Sequence, residues 1–81
     1  MTSIKSIESH IASDNMPGAL QETITLFENH QELHEKALEL SGRYHQLVKQ
    51  FRLGLFTMAD EIKLRKEMRE ELINLLNEFN K

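Results

Sequence analysis

Leu33, Ala37, Leu40, Tyr44, Leu47, Val48 and Phe51 follow one another by threes and fours, a spacing that lines them along one stripe of an α-helix and on no common face of a strand. Leu64, Met68, Leu72, Leu75 and Phe79 repeat the pattern, with Ile62, Ile73 and Leu76 widening it towards the C-terminus. Each run predicts a helix of more than 20 residues, about 30–36 Å long at the helical rise of ~1.5 Å per residue. The connection between them is only a few residues, so the two must fold back on each other as an antiparallel hairpin.

The ends of both helices are marked. Gly54 is the residue best able to take the left-handed conformation after a last turn carrying Lys49 and Arg52, whose charges suit the negative end of the helix dipole. Thr57 with Asp60 three residues later resembles a capping box, and Asp60 and Glu61 place negative charge in the first turn of the next helix.

Upstream, Ile4, Ile7 and Ile11 predict a short helix over about Ser3 to Ala12, with a Ser or Thr before it as cap. It stops at Ser13-Asp14-Asn15. Asp14 or Asn15 then caps a second helix, in which Pro17 is tolerated because first-turn amides have no helical acceptor to lose. Its buried face is Ala19, Leu20, Ile24 and Phe27. Asn29, with Glu32 three residues on, suggests a cap for the third helix, although an unbroken helix fits the pattern as well. The fold expected is all-α: a small four-helix bundle in which two short helices pack on a long antiparallel helical hairpin. Tyr44, Leu47, Phe51, Leu72 and Phe79 are its expected core.

No internal repeat, low-complexity tract or linker divides the chain, so residues 1–81 read as a single helical domain. A starting Met and an end at Lys81 suit either a free-standing small protein or the N-terminal module of a longer one. At this length, folding leaves only about 3–5 kcal/mol of net stability.

There is no cysteine, hence no disulfide, thiolate metal site or Cys nucleophile. No apolar run is long enough for a signal peptide or a membrane span, so a cytoplasmic chain is expected, with no membrane partner. The formal charge of −3 argues against a nucleic-acid partner bound through phosphate neutralisation. Its distribution says more than its sum: residues 1–42 carry seven acids against two lysines, while residues 43–81 carry eight basic residues against six acids.

His30 and His34 are four apart, which on a helix could present two imidazoles to a metal. The zincin pattern, however, needs Glu where Gln31 stands, and no third ligand is evident. Ser41 beside Gly42 lacks the second glycine and the preceding strand of a nucleophile elbow. A helix-interior Gly42 points instead to a kink or to close approach of another backbone. No catalytic residue, metal or cofactor is therefore assigned, and no enzymatic activity is expected. What remains is a surface. Arg43, Arg52, Lys63 and Arg69, with Lys49, Arg65 and Lys66 near them, are read as one side of a protein contact. Glu32, Glu35 and Glu39, beside Glu28, are read as the other. Joined between copies, they would make a heterologous association and a homo-oligomer. A structural hairpin that dimerises through apolar stripes, indifferent to salt, is the alternative. Leu38, Leu53, Leu55 and Phe56 fall off the main stripes and need covering, by the first two helices or by a partner.

The segment LSGRYHQLVKQFRLGLFTMADEIKLRKEMREELINLLNEF, from Leu40 to Phe79, resembles the signature half of effector-associated domain family eleven. Ser41, Gly42, Arg43, Tyr44, Arg52, Leu53 and Gly54 are the matching motif positions, and PGALQETITLF is similar to the family's opening helices. The resemblance implies a helical adaptor module of bacterial multidomain proteins, joined to caspase-like or trypsin-like proteases, TIR domains or signalling NTPases. It also implies association of like with like, recruiting an effector to a sensor in conflict and immunity systems. The family is sometimes discussed alongside death-like domains, which need six short helices where this sequence predicts two long ones.

Overall fold

The computed structural model describes residues 4–80, which form four helices: α1 (Ile4–Ala12), α2 (Met16–Leu26), α3 (Gln31–Arg52) and α4 (Met58–Phe79). The expected hydroxyl cap of α1 lies outside the described residues. α1 ends because Asp14 turns left-handed, at φ 58°, a conformation that a short polar side chain tolerates. The amides of Asp14 and Asn15 then return to the carbonyls of Ile11 and His10, the paired bonds of a Schellman closure. Asn15 opens the next helix: its side chain accepts from the Gly18 amide at 3.2 Å. Gly18 leaves room for that cap, since a Cβ there would come within 2.5 Å of the Asn15 amide nitrogen.

α1 and α2 are joined by a polar strap as well as by apolar contact. Ser6 donates to the Glu22 carboxylate at 3.0 Å, His10 Nε2 lies 3.0 Å from the same carboxylate, and Asn15 Nδ2 lies 3.0 Å from His10 Nδ1. On α2 the buried face is Met16, Ala19, Leu20 and Thr23, followed by Phe27. Ile24 is only half-buried, and Thr23 takes its place because its hydroxyl is satisfied by the Ala19 carbonyl at 2.7 Å.

A turn separates α2 from α3, so the helix is not continuous. Asn29 does not cap it. His30 occupies the N-cap with no side-chain bond, and its amide is already turned back onto the Phe27 carbonyl at 2.8 Å. The expected capping box with Glu32 is therefore absent. At the other end, Gly54 is left-handed at φ 70°, and the amides of Gly54 and Leu55 close onto the carbonyls of Phe51 and Gln50. Thr57 caps α4 as its sequence predicts, accepting from the Asp60 amide.

The hairpin register is antiparallel. Lys36 pairs with Glu78 at 3.6 Å; two turns further along α3, and two turns back along α4, Arg43 pairs with Glu71 at 2.8 Å. The core fills only one end of this hairpin. Its α3 members are Leu33, Ala37, Leu40 and Tyr44, and its α4 members Met68, Leu72, Leu75 and Leu76, closed over by Ile7, Ile11 and the buried face of α2. Length explains the asymmetry: α1 and α2 have 9 and 11 residues against 22 in each hairpin helix, so they span about half of it. Tyr44 and Leu72 are thus core as expected, whereas Leu47, Phe51 and Phe79 are only half-buried. Gly42 has open space around it, so neither close backbone approach within the chain nor crowding accounts for it. Two helices of 22 residues set the fold apart from six short helices of the death-like kind. None of the helices is long and apolar enough to cross a membrane.

Candidate interaction surface

The uncovered half of the hairpin keeps its own small cluster. The Phe51 and Phe56 rings meet edge to face with centroids 5.5 Å apart, and the Arg65 guanidinium lies 5.0 Å over the Phe51 ring while pairing with Glu61 at 3.2 Å. Beyond this cluster the tip is apolar and exposed: Leu53, Leu55, Met58 and Ile62 are each more than 60% accessible. The Schellman closure at Gly54 aims Leu55 outward, because its amide must point back at Gln50. α1 and α2 do not reach these residues, so the expectation that the short helices or a partner cover them is decided against the short helices. Phe56 alone among them is half-buried.

The basic residues collar this tip instead of forming one face. Arg52 and Lys63 are exposed and Arg69 is half-buried; none of the three takes part in an ion pair among the described residues. Lys63 is nine positions before the buried Leu72, about 180° round α4 and therefore directed away from the core. Arg43 differs. Its guanidinium is held in bidentate fashion by Glu71, at 2.8 and 3.3 Å, which leaves it less charge to offer a partner.

Glu35 and Glu39 stand exposed on the outer side of α3, at the core end of the molecule, and Glu32 is drawn to Lys36 at 3.7 Å. Leu38, 47% exposed, lies among them. Folding sharpens the charge separation seen in the sequence. The C-terminal half of α4 returns to the core end and brings Glu70, Glu71 and Glu78 with it. Residues 4–42 and 70–80 hold ten acids and two lysines, whereas residues 43–69 hold seven basic residues and three acids; of the first set the start of α2 reaches towards the basic end, where Pro17 lines a hollow with Lys49 and Arg52. The molecule is thus acidic at one end and basic at the other along its 37 Å axis. The sequence missed this because the three glutamates sit in its basic half; the antiparallel hairpin it predicts was the available signal.

The acidic end also carries a cleft of about 370 Å³ between α1 and α4, lined by Ile4, Ile11, Ala12, Ile73 and Leu76 with the polar Glu8, Asn77 and Asn80. The His30 ring lies edge-on to Phe79 at 6.1 Å, and no three ligating side chains converge among the described residues. The family model for effector-associated domain 11 matches residues 2–80. No curated protein and no solved structure matches the chain.

Proposed function

The chain belongs to the effector-associated domain 11 family, and from that premise we propose that it is a non-catalytic cytoplasmic adaptor whose copies associate, coupling an effector of protease, TIR or NTPase type to its partner in bacterial conflict and immunity signalling. The observation that carries this reading is the axial separation of charge. An acidic end and a basic end on one small body attract each other between copies but not within one. Such a contact is heterologous and leaves both ends of every assembly free to grow.

Arg52, Lys63 and Arg69 of one copy meet Glu32, Glu35 and Glu39 of the next in this arrangement. Arg43, tied to Glu71, contributes from the margin. Contacts of this kind are steered by fields that reach about 8–10 Å at physiological salt and about 3 Å at 1 M. A second reading has its own support in the exposed Leu53, Leu55, Met58 and Ile62: a closed homodimer formed through apolar surface, insensitive to salt.

Sedimentation across a range of protein concentration, in low and in high salt, separates the two. Molar mass that climbs with concentration and falls in salt is the expected result. A dimer of fixed size in both salts would favour the apolar hairpin, and a monomer throughout would defeat homotypic association.

A further inference from the structure

Two apolar features sit towards opposite ends of this molecule, one convex and one concave, on ends of opposite net charge. At one end Leu53, Leu55, Met58 and Ile62 protrude from the hairpin tip within the collar of Arg52, Lys63 and Lys66. At the other, the α1–α4 cleft is concave, lined by three isoleucines, Leu76 and Ala12 together with Glu8, Asn77 and Asn80. Glu70 and Arg69 both lie one turn before Ile73, Lys5 adjoins Ile4, and Asp14 follows the end of α1.

We propose that the hairpin tip of one copy seats in the α1–α4 cleft of the next. This rests on the homotypic association argued above and changes its acidic side: charge brings the ends together, and aliphatic side chains entering the cleft set the basic residues of the tip beside Glu8 and Glu70 at the cleft instead of Glu32, Glu35 and Glu39 on α3. The fit is one of shape as well as sign. A volume of about 370 Å³ takes a few aliphatic side chains and no folded element, and the tip presents such side chains on a tight turn. The tip and the cleft of one molecule cannot meet, because the hairpin holds them at opposite ends of its long axis. The contact therefore forms only between copies, and it is directional.

Uncharged substitutions separate this apolar contact from the electrostatic one. Leu55→Gln with Met58→Gln removes the knob at positions that touch no core residue. Ile73→Gln removes the cleft wall, and Ala12→Gln, at an exposed helix-end position, obstructs the cleft without disturbing the core. Each variant is to be checked by circular dichroism for wild-type helicity, then sedimented alone and mixed. The expected result is that the tip variant and either cleft variant associate at least tenfold more weakly than the wild type when alone. Mixing the tip variant with a cleft variant restores one productive contact and gives a 1:1 dimer that does not grow. Cleft variants that assemble as the wild type does, or a mixture that stays monomeric, would overturn the proposal while leaving charge-driven association standing. A wild type that never associates would overturn both.

Discussion

Phe27, wholly buried at the end of α2, holds its ring 5.1 Å from that of Phe79 at the end of α4. Through this pair the C-terminal ends of α2 and α4 close the acidic end of the molecule. The half-buried Phe79 also meets the His30 ring edge-on, with centroids 6.1 Å apart.

Loss of the pair is expected to be severe on one side and moderate on the other. Phe27→Ala removes a fully buried ring, a change that costs about 3–5 kcal/mol, as much as the ~3–5 kcal/mol a domain of this size holds in reserve. It should leave about half or more of the chain unfolded at 25 °C by circular dichroism. Phe79→Ala, from a half-exposed site, should cost about 2 kcal/mol and leave a cooperative urea transition at a lower midpoint. A Phe27→Ala variant with wild-type stability would contradict this account of the core.

Gly42 is an exposed interior position of α3 with nothing within 4 Å of where a Cβ would stand. Gly42→Ala is therefore expected to stabilise the monomer by about 0.5–1 kcal/mol, through the helix propensity and restricted unfolded state that alanine brings. Urea denaturation at low protein concentration measures it. Because no group of the chain occupies that space, weaker self-association of the stabilised variant would identify Gly42 as a point where another copy comes close.

The Arg43–Glu71 pair is bidentate, yet the two side chains are 56% and 46% exposed. Water screens such pairs, so a double-mutant cycle with Arg43→Ala and Glu71→Ala should give a coupling of no more than about 1 kcal/mol, shrinking further in high salt. Coupling well above that, unchanged by salt, would mean the pair is more deeply desolvated than its exposure indicates.

Most of the secondary structure was legible in the sequence because its causes are local. The three-and-four spacing from Leu33 and from Leu64, the caps at Asn15 and Thr57, and the left-handed turn at Gly54 all act within a turn or two of chain. They determine four helices and a hairpin. The one local signal that misled was Asn29, where a backbone turn from Phe27 to His30 leaves no place for the expected cap.

What only the tertiary structure decided is where the core stops and which charges share an end. Leu47 and Phe51 carry the same periodic signal as Leu40 and Leu72, but periodicity says which side of a helix is apolar and not how far another helix reaches along it; Phe79, reached by Phe27, is half-buried because it is the last residue of α4. α1 and α2 are too short to cover the tip, so Leu53 and Leu55 remain in solvent. Likewise Glu70, Glu71 and Glu78 lie in the basic half of the sequence and at the acidic end of the molecule, because an antiparallel return brings residues far apart in the chain to the same height in space.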